Sequence, residues 1–230
     1  MLGRRKKISK TQKTLQSWPG KERRCPSIRD RNYLILMSLS REIQKSIKKF
    51  VTGRTSSLII DAGCGSKPYY PYFAPYCSEY IGIDMDENSL ADIRAPAEAL
   101  PFQDSSADLV VSLQAAEHFQ DPEGAVREFY RILRPGGLLL VSTHGFWGEH
   151  GYSHWTKRGL ERLLSAFQIL EIVENGYAIL SLFQLINLLI PSYLKFVIPL
   201  TNILGFRLDQ IKPKRGLTLN YLVIASKYGR

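Results

Sequence analysis

Two carboxylates and two glycines lie at the ends of predicted strands, where parallel sheets commonly bind ligands. Asp61, Gly63 and Gly65 belong to the turn Asp-Ala-Gly-Cys-Gly, which follows a short apolar run, and Asp84 ends the next such run. Glycine lets the backbone approach a ligand, and free amides at the start of a following helix would bind an anion. An acid about 20 residues after such a turn commonly accepts hydrogen bonds from both ribose hydroxyls. These residues predict a nucleotide-like ligand that carries an amino-acid carboxylate.

The position of the first acid distinguishes this turn from a dinucleotide site. A dinucleotide fingerprint reads G-x-G-x-x-G, whereas this turn reads D-x-G-x-G and continues with Ser66, Lys67 and Pro68. Asp61 would repel a pyrophosphate, but it would favour a sulfonium and an α-amino group. The electrostatics therefore predict S-adenosyl-L-methionine as the cofactor, and the spacing of the ligand-type residues predicts no metal site.

Apolar runs alternate with amphipathic segments along the chain. Strands are predicted over residues 57–61, 80–84, 108–113, 138–142, 169–173 and 217–225. A helix of about 20 residues is predicted after the capping-box sequence that begins at Ser27, and others after Asp121 and Thr156. This order is typical of a doubly wound α/β sheet, in which ligands bind beyond the carboxyl ends of the strands.

Four stretches within residues 57–145 resemble, in order and spacing, the type 11 class I methyltransferases. They read LIIDAGCGSKPY, YIGIDMDENS, AEALPFQDSSADLVVSLQAAEHFQDP and REFYRILRPGGLLLVSTHG. The family includes methyltransferases of quinone and glycan biosynthesis. The resemblance implies an enzyme that uses S-adenosyl-L-methionine. It also implies a Rossmann-like, mostly parallel seven-stranded sheet with an antiparallel last strand, flanked by helices.

The resemblance assigns cofactor-binding roles that agree with the electrostatic argument. Asp61, Gly63 and Gly65 would line the methionine end of the cofactor. Asp84 would hold the ribose, and Met85 would pack on the adenine.

The adenine end departs from the family pattern. An acid commonly precedes the Ala-Glu-Ala-Leu-Pro-Phe stretch, but this chain has Pro96 there, so Glu98 or the backbone around Ala97 would contact the adenine amino group. Gln114 would lie close to the reactive face of the cofactor. The loop between Asp84 and Leu100 is short, which predicts a vestigial third strand.

The four histidines are candidates for a general base, since a neutral imidazole titrates near the working pH. His144, His150 and His154 follow the predicted fourth strand, and His118 lies in a family segment where it often supports local structure. The segment EHGYSHWT resembles a family stretch with a histidine at the place of His150, which makes His150 the first candidate and His118 the second. Surface or packing roles remain the alternative for each.

The net charge of +10 is concentrated at the amino end. Residues 1–31 contain eleven Lys or Arg and two acids, whereas the rest of the chain carries a net charge of +1. Residues 1–27 are therefore predicted to be a basic, disordered tail, and 28–230 a methyltransferase domain. The tail could also attach to an anionic membrane or to RNA. Three cysteines without C-x-x-C spacing and the lack of a signal-peptide pattern predict a cytoplasmic protein, with peripheral membrane attachment left open.

Residues 177–211 form an apolar insertion. Its first apolar run ends at Pro191 and is shorter than the roughly 20 residues that a spanning helix needs. Ser181, Gln184 and Asn187 form a narrow polar stripe. The segment is predicted to be either a helical lid over the acceptor site or an interfacial segment at a membrane. Both alternatives imply an apolar or lipid-linked acceptor.

The sequence thus predicts methyl transfer to an oxygen or carbon of a small or lipid-linked acceptor, such as a glycan or quinone precursor. A non-catalytic S-adenosylmethionine-binding module is the first alternative, and Pro96 is its main support. An RNA methyltransferase that uses the basic tail is the second, but the nearly neutral remainder of the chain argues against a nucleic-acid partner.

Overall fold

A seven-stranded sheet forms the centre of the protein. The computed structural model describes residues 17–54, 56–145, 155–211 and 218–229. The strand order is β3-β2-β1-β4-β5-β7-β6, and β7 runs antiparallel to both neighbours while the other pairs are parallel. The predicted mostly parallel, Rossmann-like sheet is thereby confirmed. The strands are β1 (Ser56–Ala62), β2 (Cys77–Asp84), β3 (Ile93–Arg94), β4 (Ala107–Leu113), β5 (Leu133–His144), β6 (Gln168–Asn175) and β7 (Asn220–Ser226).

Helices flank both faces of this sheet. The described α-helices are α1 (Lys21–Arg24), α2 (Tyr33–Ser46), α3 (Tyr70–Phe73), α4 (Pro122–Ile132), α5 (Lys157–Leu163), α6 (Ala178–Leu189) and α7 (Ile198–Ile211). A π-helical turn, Ile47–Val51, extends α2, and 3₁₀ turns cover Ala74–Tyr76, Ala116–His118 and Ser192–Val197. The predicted caps of α4 and α5 are present, since Asp121 accepts from the Gly124 amide at 2.8 Å and Thr156 from the Gly159 amide at 3.1 Å.

The alternation of side chains along the strands divides the core into two layers. Ile59 of β1 packs with Leu39 and Ile43 of α2, whereas the adjacent Ile60 packs with Phe129 of α4 and Leu160 of α5. Successive strand side chains point to opposite faces, so one apolar run fills both layers. Packing on both faces consequently fixes the position of each strand, and with it the position of the loop that follows the strand.

The long helix begins later than the capping-box pattern predicted. The Ser27 amide donates to Asp30 Oδ2 at 2.7 Å, and the Asp30 amide donates to the Ser27 carbonyl at 2.8 Å. These bonds close a turn of their own, so α2 starts at Tyr33. The same side chains that cap a helix can equally close a turn.

The connections on one side of the sheet are short. Between β1 and β2 the chain forms only the four-residue α3 and a 3₁₀ turn, and β2 passes to β3 through a turn. Strand β3 has two residues, as the short loop predicted.

Part of the predicted disordered tail is ordered. Within 1–27, residues 17–27 are described and include α1, and residues 1–16 lie outside the described residues. Arg24 is buried and donates to the carbonyls of Trp18, Pro19 and Pro68, and Trp18 Nε1 donates to the Lys67 carbonyl at 3.0 Å. From the composition of the segment, Arg24 would be expected to be a solvated charge. In the structure it is buried, and its hydrogen bonds to the carbonyls satisfy the guanidinium. The boundary of the folded domain therefore lies earlier than residue 28.

Candidate functional site

A cavity of about 740 Å³ opens at the carboxyl ends of β1, β2 and β4. Its volume lies in the range of ligand pockets, roughly 300–1,000 Å³. The predicted cofactor residues all line it, and their roles stay predictions: Asp61, Gly63, Gly65, Asp84, Met85, Ala97, Glu98 and Gln114. His118 lines it as well, whereas His150 and His154 lie outside the described residues.

Backbone geometry explains the glycines of the turn. Gly63 has a φ of 73°, and a Cβ there would lie 2.4 Å from Ala115 Cβ, so only glycine permits the turns after β1 and β4 to touch. Gly65 has a φ of 50°, and a Cβ there would meet nothing within 4 Å. Cys64 between them is buried, and burial raises the pKa of its thiol, as expected for a packing residue rather than a nucleophile.

The amides of the glycine turn itself are already committed to partners within the protein. The amides of Gly63 and Cys64 donate to the Ile83 carbonyl at 2.8 and 3.0 Å, and the Gly65 amide donates to Asp84 Oδ2 at 2.7 Å. The next helix is the short α3, which begins only at Tyr70. Any anionic end of the ligand would therefore need a different partner.

Asp61 is a buried carboxylate with a perturbed proton affinity. Burial raises its pKa to about 7, opposed by a hydrogen bond from the Tyr80 hydroxyl at 2.6 Å and by the nearby charge of Lys67. Desolvation destabilises an ionised carboxyl unless a cation compensates it. Asp61 is thus a site where a positively charged ligand group would be stabilised.

Asp84 is less buried than Asp61 and accepts hydrogen bonds from the backbone of the glycine turn and of the loop after β2. Its Oδ2 accepts from the Gly65 amide and its Oδ1 from the Asp86 amide at 2.9 Å. Each carboxylate oxygen has a second lone pair, so the side chain can still accept from a ligand hydroxyl. The two acids share one cleft, as the cofactor prediction requires.

Behind the turn lies an ion pair that sequence reasoning missed. Lys67 is buried and pairs with Asp92, whose carboxylate also accepts from the Gly82 amide at 2.7 Å. A Cβ at Gly82 would lie 2.2 Å from Lys67 Cε, so glycine there makes room for the lysine. Lys67 is the second residue after the glycine turn, and this position was a signal in the sequence, whereas Asp92 carried none.

The end of the cavity that is predicted to hold the adenine combines an exposed thioether with a short backbone segment. Met85 is 54% exposed although it lines the cavity, so it offers an apolar surface to a flat ring. Pro96 and Ala97 also line the cavity. Glu98 Oε1 accepts from the amides of Gln120 and Asp121 at 3.1 and 3.2 Å, which commits much of that carboxylate to the neighbouring loop. The Ala97 backbone is the less encumbered of the two predicted adenine contacts.

Gln114 directly follows β4 and has a strained backbone conformation. Its φ is 57°, rare for a residue other than glycine, and its amide donates to the Ser142 carbonyl at 2.9 Å. Its side-chain Nε2 lies 3.2 Å from Ser142 Oγ. Such strain persists only where the surroundings hold it, and it concentrates at ligand sites.

His144 belongs to a buried polar cluster rather than to the cavity wall. Its Nδ1 lies 3.0 Å from Asn220 Oδ1, and its Nε2 lies 3.3 Å from Glu117 Oε1. Burial lowers the pKa of His144, and the Glu117 carboxylate opposes this. Because both ring nitrogens face protein partners, this arrangement favours a structural role. His118, in contrast, is exposed and lines the cavity.

The amino-terminal segment contributes residues that the sequence did not reveal. Arg23 of α1 and Tyr69 line the cavity beside Ser66 and Pro68. Burial raises the pKa of Tyr69 to about 12, so its hydroxyl stays protonated. Arg23 thus adds a cationic side chain to the wall of the cavity. No motif spacing connects it to the glycine turn, since the contact depends on how residues 17–25 fold back.

Comparisons with known proteins agree with this geometry. Residues 60–141 match the family model described as a methyltransferase domain, type 11. A Mycolicibacterium smegmatis protein named "probable S-adenosylmethionine-dependent methyltransferase" is 38% identical over 95 residues, covering 37% of each chain. A Mycobacterium tuberculosis protein with the same description is 33% identical over 132 residues, covering 53% of this chain and 46% of its own. The chain thus spans less than half the length of these relatives.

Solved structures show the same fold at low sequence identity. Geranyl diphosphate C-methyltransferase from Streptomyces coelicolor, in complex with Mg²⁺, geranyl diphosphate and S-adenosyl-L-homocysteine, superposes with a TM-score of 0.58 and 14% identity. The match covers 84% of this chain and 80% of that one. The comparisons favour neither a non-catalytic module nor an RNA methyltransferase.

Proposed function

We propose that the protein transfers a methyl group from S-adenosyl-L-methionine, from the premise that residues 60–141 match the type 11 methyltransferase domain. One observation carries the proposal: Asp61 and Asp84 face a single cavity of cofactor size, one buried and one at the loop that would hold a ribose. The names of the relatives and the S-adenosyl-L-homocysteine in a structural neighbour support the same cofactor.

The residues present fit the cofactor's distribution of charge. Ionised Asp61 would stabilise the cationic methionine end, and Arg23 would neutralise its carboxylate. Asp84 would accept from the ribose hydroxyls, while Met85 and the Ala97 backbone would hold the adenine. S-adenosyl-L-methionine supplies a methyl group already activated by the positive sulfur. The protein's contribution is then to align the acceptor with that methyl and to exclude water.

The proposed acceptor is small or lipid-linked and apolar, with methylation at oxygen or carbon, as in a glycan or quinone precursor. The exposed apolar surface of residues 177–211 supports this class. The isoprenoid geranyl diphosphate bound in the Streptomyces structure is a molecule of related chemistry held by a protein of the same fold. For a hydroxyl acceptor, His118 at the cavity and His150 are the proposed general bases.

Calorimetric titration with S-adenosyl-L-homocysteine tests the cofactor assignment. The wild type should bind, and Asp84→Ala should weaken binding by about 1–3 kcal/mol because a hydrogen-bonded partner of the ribose is lost. Glu79→Ala removes an exposed acid from the same strand, away from the cavity, and should leave the affinity unchanged. A wild type that binds no S-adenosyl-L-homocysteine would end the proposal.

The same titration examines the proposed partner of the cofactor carboxylate. Arg23→Gln should reduce the affinity about tenfold, as expected for losing one charge-assisted hydrogen bond. Lys21→Gln removes an equal charge from the same short helix without touching the cavity and serves as the control. Equal affinities for the two variants would exclude the role of Arg23.

A further inference from the structure

The helical hairpin of residues 177–211 has its polarity reversed relative to a water-facing surface. We define it as α6, the 3₁₀ turn Ser192–Val197 and α7. Surface helices of globular proteins normally turn their apolar stripe to the core and their polar face to water. Here the polar stripe is buried: Ser181, Gln184, Asn187 and Asn202 are each 0% exposed. The reversal indicates that the outer face of the hairpin is adapted to a medium other than water.

Hydrogen bonds fix the polar stripe against the start of α2. Gln184 Nε2 donates to the Arg31 carbonyl at 2.8 Å, and Asn202 Nδ2 donates to the Ile28 carbonyl at 2.7 Å. Between the two helices, Asn187 Nδ2 donates to Asn202 Oδ1 at 2.7 Å. Because each buried amide has a specific partner, the hairpin has one orientation and cannot roll its polar side outward without breaking them.

The start of α6 is held by a side chain of α7. Asp209 of α7 is buried and accepts from the amides of Tyr177 and Leu180 at 3.3 and 3.0 Å, at the start of α6. At the other end, Arg31 donates to the Leu188 carbonyl at 3.0 Å. Backbone groups at both ends of α6 that lack partners within the helix are thus hydrogen-bonded to other parts of the protein. The helix is therefore held at both ends, and its outward face has a defined position.

The outward face is apolar and extends over both helices and the turn between them. Its most exposed side chains are Leu189 (82%), Tyr193 (80%), Phe196 (76%), Leu200 (56%) and Leu182 (54%). Ile186, Leu188, Ile203, Leu204 and Leu208 add to it. A contiguous apolar patch of this kind on a soluble surface indicates an interaction site. None of the described helices is long and apolar enough to cross a membrane.

Most of the exposed charges around this face are positive. Within the hairpin the cations Lys195 and Arg207 are exposed, whereas its acid, Asp209, is buried as a helix cap. Arg41 lies 4.7 Å above the ring of Phe206. In the segment against which Asn202 bonds, Arg29 is exposed, and so is the acid Asp30 beside it. Residues 1–16 add six Lys or Arg and no acid to the chain's amino end. An apolar face with a basic rim is complementary to an anionic interface.

We propose that the outward face of this hairpin docks on the surface of an anionic lipid bilayer, with its apolar side chains at the boundary between headgroups and acyl chains. Interfacial helices insert about 5–10 Å and combine apolar burial with attraction to anionic headgroups. A second copy of the chain is the weaker occupant. A two-fold interface through this face would bring the cations of the two copies together.

The position of the hairpin connects docking with the cavity. Asn175 at the end of β6 and His144 at the end of β5 both pair with Asn220 of β7, so β5 and β6 end at the same edge of the sheet. Strands β1 and β4 run parallel to β5 and end at that edge too. Helix α6, which follows β6, therefore leaves the sheet at this edge. Docking would thus bring the cavity edge near the bilayer. That the membrane supplies a lipid-linked acceptor rests on the proposed function; the docking itself does not.

Vesicle flotation of the full chain tests the docking face. Vesicles of equal parts phosphatidylglycerol and phosphatidylcholine should carry the wild type, and vesicles of phosphatidylcholine alone should carry it more weakly. The triple variant Leu189→Gln, Tyr193→Gln, Phe196→Gln should lose at least about tenfold in vesicle affinity, because three apolar side chains no longer gain from burial. Leu189→Gln and Phe196→Gln alone should each show an intermediate loss.

The control variant carries Leu170→Gln and Tyr228→Gln, two exposed apolar residues outside the hairpin, and should float like the wild type. S-adenosyl-L-homocysteine titration in parallel reports folding and separates a failure of docking from a failure of the proposed function. The proposal is overturned if wild type floats with neither vesicle or if the triple variant floats equally well. It is also overturned if the wild type is a dimer that the triple variant dissociates, with no lipid binding.

Discussion

At the residue scale, the site depends on two acids in unequal environments. Asp61 is buried beneath Tyr80 with a pKa raised to about 7, whereas Asp84 lies at the loop and accepts two backbone amides. Their types and spacing were visible in the sequence. The difference between their environments was not visible, because it depends on Tyr80 of the neighbouring strand and on Lys67, which packs against Gly82.

The raised pKa predicts a specific pH dependence for the unliganded protein. A folded-state pKa of about 7, above the ordinary value of 3.8, means that the contribution of Asp61 to stability is full below pH 3.8 and is lost as the pH rises through about 7. Asp61→Asn cannot ionise, so the wild type should lose stability relative to this variant between about pH 4 and pH 8. Urea denaturation across that range measures the difference, and parallel curves would contradict it.

Ligand charge adds a second readout to the same pair of proteins. A cation beside Asp61 favours its ionised form, so the wild-type affinity for S-adenosyl-L-methionine should rise with pH more steeply than that of Asp61→Asn. S-adenosyl-L-homocysteine lacks the sulfonium charge and should show the smaller slope. Equal slopes for both ligands would show that Asp61 does not face the sulfur.

At the scale of elements, the sequence pattern identified the polar stripe of α6 but not its direction. Ser181, Gln184 and Asn187 recur at helical spacing whether they face water or protein. Only the packing of α6 and α7 on the start of α2 shows that the stripe is the inner face. The segment does not contribute to the walls of the cavity described above, so its position gives no support to a lid over that cavity.

This orientation predicts a reversal of the usual mutational pattern. Asn187→Ala should lower the free energy of unfolding by about 1–3 kcal/mol, because Asn202 Oδ1 and the Thr201 hydroxyl lose their buried partner. Leu182→Ala, in the same helix but 54% exposed, should change it by no more than about 0.5 kcal/mol. Chemical denaturation without lipid provides the comparison. A larger loss for the leucine variant would mean that the apolar face is buried after all.

At the scale of the whole molecule, positive charge and apolar surface come from different parts of the chain. Most of the net charge lies in residues 1–31, whereas the exposed apolar face lies in residues 177–211. The structure joins them, since Ile28 and Arg31 bond to the hairpin while Arg23 reaches the cavity. One amino-terminal segment therefore contacts both the proposed cofactor site and the proposed membrane face.

Removal of residues 1–16 should separate these contributions. The truncated chain should bind S-adenosyl-L-homocysteine like the full chain, because Trp18, Arg23 and Arg24 remain. Its affinity for vesicles with phosphatidylglycerol should fall and should depend less on salt, since each Lys or Arg near an anionic leaflet contributes about 1 kcal/mol. Flotation at low and high salt measures this. Identical salt dependence in both chains would exclude the tail from binding.

The sequence by itself determined the sheet, the glycine turn and the two acids, because strand periodicity, turn chemistry and charge act over neighbouring residues. Tertiary structure alone decided that the amides of that turn are bonded within the protein and that Arg23 lines the cavity. It also decided that the capping-box residues close a turn before α2, and which side of α6 faces outward. These features depend on contacts between residues far apart in the chain, and local pattern carries no information about which distant partner satisfies a buried polar group.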